Sequence, residues 1–145
     1  MNMVTDASVG IKWFKYSDEV NVELALMLRQ YKLEKKIDIL VPDLFLFEVL
    51  NTLITNTIFN KFELNNVLNT IFLMDIRIIN PDNVMLKNAI DVSLESKLSY
   101  YDALYISTAQ SVNAMLVTED NKIISLQKKY NFIKSLTELT NFLGM

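Results

Sequence analysis

Short apolar runs alternate along the chain with longer stretches whose apolar positions recur every three or four residues. The first run, Met-Val-Thr at 3–5, predicts a buried strand, and a helix is expected over 9–14. Val20, Leu24, Met27, Leu28 and Tyr31 fall at helical spacing and predict a helix over 20–33. A second strand over 37–41 closes at Pro42-Asp43, a turn that carries its own helix cap. Two strongly apolar helices follow over 44–56 and 63–74, then a third strand over 77–79. Pro81-Asp82 opens a helix to about 97, and another is expected over 99–112. A fourth strand over 114–117, a helix over 121–129, a short strand at 132–133 and a helix over 136–143 complete the pattern.

Strands alternating with helices imply a parallel sheet covered on both faces. The short, apolar strands suit burial on both sides. No internal repeat, low-complexity tract or Pro/Gly-rich linker interrupts the order. The expected fold is therefore α/β, a single three-layer α/β/α domain over 1–145 with about five parallel strands.

Composition narrows the chemistry. With 51% hydrophobic and 21% charged residues the chain is neither disordered nor fibrous. It has no His and no Cys, which removes thiol nucleophiles, Ser-His-Asp triads, imidazole bases and ordinary zinc sites. Two glycines, Gly10 and Gly144, are too few for a GxGxxG turn or a phosphate loop. The absence of cysteine fits a reducing cytoplasm, and neither a signal peptide nor a membrane span is expected. A net charge of −3 argues against broad nonspecific affinity for nucleic acid, although acidic metal ligands are counted in it. What remains is carboxylates working with oxygen-preferring cations such as Mg²⁺ or Mn²⁺.

Ligands of open parallel sheets gather beyond the carboxyl ends of the strands. Asp6 follows the first strand, and Asp120 lies just after the fourth. Asp102 falls in the first turn of the helix leading into that strand, and Glu48 lies early in the helix after the second. Each has a plain structural alternative. Asp6 and Asp120 suit helix N-caps, worth about 1 kcal/mol each. Ser99-x-x-Asp102 fits a capping box. Glu48 alone resists this treatment, because it stands among Leu44, Phe45, Leu46, Phe47, Val49 and Leu50 and needs a partner or an exposed face. Four acids at one sheet edge destabilise the fold unless a cation sits among them.

Four stretches, VTDASVGIKWF, VPDLFLFEVLNTL, YYDALYISTAQ and LVTEDNKI, span nearly the whole chain. In this order they resemble the PIN-domain family, and most closely the VapC-type toxins of prokaryotic toxin–antitoxin pairs. The resemblance implies a PIN-like domain in which Asp6, Glu48, Asp102 and Asp120 form an acidic quartet holding Mg²⁺ or Mn²⁺. Ser8 matches the small hydroxyl residue two after the first Asp, and Thr118 the hydroxyl residue two before the last. Asn51, one turn after Glu48, matches a polar position often found there. Glu119 departs from the family pattern, which more often has a small or neutral residue beside the last acid, and Thr118 favours Asp120 through the T-x-D spacing. The implied activity is endoribonucleolytic, with in-line attack by water and a 5′-phosphate product. Carboxylates suit it, because a divalent ion held by oxygens lowers the pKa of water and neutralises developing phosphorane charge.

Other features have two readings each. Lys12 and Lys15, beyond Asp6, suit either RNA phosphates or the solvated end of a helix, and Lys122, Lys128 and Lys129 read as an ordinary exposed face. Trp13, Phe14 and Tyr16 suit base stacking or packing. The segment 44–74 is too apolar to be buried entirely by one helix pair. It is either a thick core or, as the resemblance implies, a homodimer surface plus a groove for the amphipathic helix of an antitoxin. An aspartyl-phosphate hydrolase wants a second Asp where Ser8 stands, and a receiver domain wants an acceptor Asp where Asn80-Pro81-Asp82 follows the third strand. The competing reading is a non-catalytic PIN-like module that binds RNA or protein, although no acid of the quartet is lost.

Overall fold

A computed structural model describes residues 1–145. Five strands, β1 (Asn2–Thr5), β2 (Asp38–Pro42), β3 (Arg77–Ile79), β4 (Met115–Val117) and β5 (Ile133–Lys134), form one sheet in the order β3-β2-β1-β4-β5. Every pairing is parallel. Met3, Val4, Ile39, Leu40, Leu116, Val117 and Ile133 fill the middle of the sheet and are buried. Strands this apolar stand only where both faces are covered.

Eight helices supply the cover: α1 (Ala7–Gly10), α2 (Val22–Leu33), α3 (Leu44–Asn56), α4 (Lys61–Leu73), α5 (Asn83–Ser96), α6 (Tyr100–Ser111), α7 (Asn121–Ile124) and α8 (Leu136–Leu143). The chain steps from β1 outward to β2 and β3, then returns past β1 to β4. Right-handed crossovers therefore set α2, α3 and α4 on one face and α5 and α6 on the other. Every residue of α6 from Ala103 to Ala109 is buried, so that helix is a core element rather than an amphipathic cover.

Two expected helices are shorter than their patterns. Over 9–14, helix α1 gives way after one turn to a 3₁₀ turn, Ile11–Trp13. Trp13 sets that geometry: its indole is buried, donates to the Ala25 carbonyl at 3.0 Å and tilts against Phe45 at 6.0 Å between ring centroids. Over 121–129, α7 stops at Ile124. Ser125 donates back to the Lys122 carbonyl at 2.7 Å, and Leu126, Gln127 and Lys129 bond three residues back rather than four. Gly10 is required by space, since a Cβ there would lie 2.5 Å from Phe45 Cζ. The bare glycine lets α1 settle on α3 and so fixes the backbone just beyond Asp6.

The apolar segment 44–74 divides. Phe45 and Ile71 belong to the core, whereas Phe47, Ile54, Ile58, Phe62, Phe72 and Leu73 are exposed. No helix is long and apolar enough to cross a membrane.

Candidate active site

The strand order reverses between β1 and β4, and a crevice at such a point is where open parallel sheets bind ligands. Thr5 is in register with Val117, so the residues after the two strands, Asp6 and Thr118, emerge side by side. Asp6 stands at the N-cap of α1, yet its side chain caps nothing. Instead Ser8 Oγ donates to Asp6 Oδ1 at 2.5 Å, and Thr118 Oγ1 donates to Oδ2 at 2.6 Å. The two hydroxyls are themselves set by the backbone. The Glu119 N–H donates to Ser8 Oγ at 2.9 Å, and the Asp120 N–H to Thr118 Oγ1 at 2.9 Å. A carboxylate only 4% exposed is thus held by two oriented donors.

Burial pushes the Asp6 carboxyl up to about 7; the Ser8 and Thr118 hydroxyls oppose that rise and the charge of Asp120 adds to it. Glu48, on the second turn of α3, is also raised, first by burial and then by the charges of Asp102 and Asp120, while the Tyr105 hydroxyl opposes. Asp102 follows the same pattern, raised by burial and by Asp120 and lowered by Ser99 and Lys122. The charge of Asp120 is felt by all three other acids, so the four share one electrostatic neighbourhood. Clustered acids shifted upward together mark a candidate functional site.

The cap readings hold in part. Asp120 Oδ1 does accept from the Lys122 N–H at 2.8 Å and caps α7. Ser99 accepts from the Asp102 N–H at 3.1 Å, but the reciprocal half of a capping box is missing, so the Asp102 carboxylate caps no backbone N–H. Glu119 is committed elsewhere. Its oxygens accept from Asn21 Nδ2 and from the Leu136 N–H, each at 2.9 Å, tying the start of α2 to the start of α8.

The two lysines after Asp6 are not presented as phosphate contacts. Lys12 is buried and pairs with Glu19 at 3.2 Å, and Lys15 reaches the same acid at 3.9 Å. A buried lysine is held by the fold, because leaving it unpaired costs too much. Of the aromatic candidates, Trp13 is core and Tyr16 is exposed.

Sequence reading passed over Tyr105. Its buried hydroxyl donates to Glu48 Oε1 at 2.7 Å, bridging α6 to α3. Burial and the Glu48 charge push its own pKa far above the usual phenol range, so it stays a donor. The available signal was its place three residues after Asp102, which puts both on one face of α6. Tyr105→Phe is expected to weaken Mn²⁺ binding about 10- to 100-fold, the usual cost of losing a residue that orients a ligand. Titration calorimetry checks this, with the melting temperature close to that of wild type.

No three of the carboxylates stand close enough to hold an ion between them as they lie here. The donor set nevertheless has the right chemistry. Four hard-oxygen acids without nitrogen or sulfur suit Mg²⁺ or Mn²⁺ and no softer metal.

Comparison with protein-family profiles matches residues 3–129 to the PIN domain. This chain belongs to the PIN-domain family. Curated protein sequences give no match. Among solved structures, the PIN fold here is similar to PAE2754 from Pyrobaculum aerophilum, at 22% identity and a TM-score of 0.65, with 99% of this chain and 98% of that one covered. It is also similar to a toxin–antitoxin complex from Klebsiella pneumoniae, at 17% identity and a TM-score of 0.65, covering 92% and 97%. A third is VapC20 of Mycobacterium tuberculosis, a sarcin–ricin loop cleaving toxin, at 12% identity and a TM-score of 0.68, covering 85% and 93%. The PIN-domain match spans Asp6, Glu48, Asp102 and Asp120 alike and stops short of β5 and α8.

Proposed function

We propose that this PIN-domain protein is a Mg²⁺- or Mn²⁺-dependent endoribonuclease and the toxin of a toxin–antitoxin pair. The observation that carries the reading is Asp6: a buried carboxylate, clamped by two hydroxyls at the point where strand order reverses, within the field of another acid. A structural acid in that position gains nothing from its burial. An acid that anchors a cation does.

In this reading Asp6 is the fixed ligand, aimed by Ser8 and Thr118. Glu48 offers one oxygen while Tyr105 holds the other. Asp102 and Asp120 complete the quartet by side-chain rotation from half-buried positions at the two helix starts. Asn51, on the same helix as Glu48, adds a neutral amide at the rim. The ion, when bound, supplies water activation and charge for the phosphorane, which histidine-free chemistry otherwise lacks. The fold's part is to place oxygen ligands where a cation would sit, the mutual repulsion of these acids being offset only by that cation.

Partners follow from the surface. A groove of 810 Å³ runs between the 3₁₀ turn and the α3–α4 connection, lined by residues that include Phe14, Tyr16, Ile58 and Phe59. We assign it to the amphipathic helix of an antitoxin, and the exposed Phe62, Phe72 and Leu73 of α4 to a second copy of this chain. The similarity to a solved toxin–antitoxin complex supports an antitoxin as partner. The same reading puts the protein in the cytoplasm, where such an RNA substrate would be met.

One observation favours the alternative, a non-catalytic binding module: the acids as they lie do not close round an ion. The test is cleavage of single-stranded RNA with Mn²⁺, with Mg²⁺ and with excess EDTA. Cleavage is expected only with the ion, retained within about threefold by Glu119→Gln and lost in Asp120→Asn, since both oxygens of Glu119 are taken by Asn21 and the Leu136 N–H, away from the quartet. Ion-independent cleavage, or equal loss in both variants, overturns the assignment; a folded wild type that binds RNA and cuts nothing gives the ground to the binding module.

A further inference from the structure

We infer that Phe47 and Tyr101 form the aromatic walls of a subsite for an unpaired base of the RNA, beside the scissile position, with Asn51 addressing the base edge. The inference rests on the ribonuclease reading and deepens it.

Two large rings are left exposed where burial would be expected. Phe47 is 64% exposed and Tyr101 59%. Each is the immediate chain neighbour of an acid, Phe47 of Glu48 and Tyr101 of Asp102, and each lies in the first turns of its helix, α3 or α6. Both line a single cleft of 420 Å³, whose remaining walls are Leu44, Glu48 and Asn51. The cleft is therefore continuous with the acidic site through Glu48 itself.

The polar groups of the cleft are free. Tyr100 donates to the Leu86 carbonyl and Tyr105 to Glu48, whereas the Tyr101 hydroxyl and the Asn51 side-chain amide have no partner in the fold. An amide presenting donor and acceptor together suits a base edge. The surrounding charge points to a base rather than a phosphate. Lys12 and Lys15 are tied to Glu19, and the site itself is acidic. Electrostatic attraction for the RNA backbone is weak here, so affinity has to come from contacts that carry no charge. Stacking on aromatic rings is the sequence-tolerant form of such a contact.

The experiment uses full-length protein carrying Asp6→Asn, so that RNA is bound and not cut, with anisotropy of a fluorescent single-stranded RNA as the readout. Phe47→Leu and Tyr101→Leu keep apolar bulk and remove the ring; each is expected to weaken binding about 5- to 100-fold, the range of a lost base stack. Phe47→Trp is expected to restore it. The same RNA built from abasic nucleotides should bind the parent weakly and lose nothing further in Phe47→Leu. Unchanged binding in both leucine variants removes the subsite and leaves the ribonuclease reading standing. Loss of binding together with a change of oligomeric state on gel filtration overturns it in favour of a contact between copies. A parent that binds no RNA at all removes the subsite, and the ribonuclease reading falls with it only if wild type also cuts no RNA with the ion present.

Discussion

Asp6→Asn is expected to reduce RNA cleavage about a thousandfold or more while raising the melting temperature of the EDTA-treated protein near neutral pH. The loss follows from removing the fixed ligand. Metal-held charge stabilisation is worth several kcal/mol, and each 1.4 kcal/mol, approximately, is tenfold in rate. The gain in stability follows from burial. A carboxylate that is 4% exposed, with its pKa pushed up to about 7, opposes folding whenever it is ionised. Asn occupies the same volume, keeps one carbonyl oxygen for the Ser8 or Thr118 hydroxyl, and carries no charge. Catalysis and stability moving in opposite directions identify a functional residue, whereas a residue that serves only the fold lowers both when replaced. Kinetics and a thermal melt on the same two preparations decide it. A variant that is both inactive and less stable would show that Asp6 is structural.

Stability of the EDTA-treated wild type should fall as pH rises, by about 5–10 °C in melting temperature between about pH 5 and about pH 8. The folded protein holds the Asp6 proton more tightly than the unfolded chain, because the carboxyl titrates at about 7 when folded and near 3.8 otherwise. Its contribution is fully present below about pH 3.8 and disappears as the pH passes through about 7. The whole effect is about 4 kcal/mol, of which about 3 kcal/mol falls between about pH 5 and about pH 8. Glu48 and Asp102, raised for the same reasons, push in the same direction. Glu34 and Glu138 are lowered and act the other way, but over more acidic conditions outside this window. Adding Mn²⁺ at about pH 8 should restore the lost stability, since a ligand bound only by the folded state stabilises it by mass action. At about pH 5 the same addition should do little. In Asp6→Asn both the pH slope and the Mn²⁺ effect should shrink sharply. A flat pH profile in wild type would mean that Asp6 is not buried as described.

Much of this protein was legible from residue pattern alone. Alternating apolar runs and 3.6-residue periodicities specify a parallel α/β sheet, because strands buried on both faces and helices buried on one need different spacings. The absence of His and Cys left carboxylates as the only means of holding a metal. The positions of Asp6, Glu48, Asp102 and Asp120 relative to strand ends were readable too. Contacts between distant segments were not. Tyr105 is one apolar-looking position among many in α6 until the packing brings its hydroxyl to Glu48, 57 residues away in sequence. The T-x-D spacing favours Asp120 over its neighbour Glu119, but what Glu119 does instead, a tie across the fold to α8 and the Asn21 amide, is set only by packing. Lys12 reads as an RNA contact or a solvated helix end, yet the path of the 3₁₀ turn buries it against Glu19. Periodicity and residue type fix which elements form, since those are local energies summed over a few turns. Which way a side chain faces, and what it meets, depends on loop geometry and long-range packing, which no local window contains.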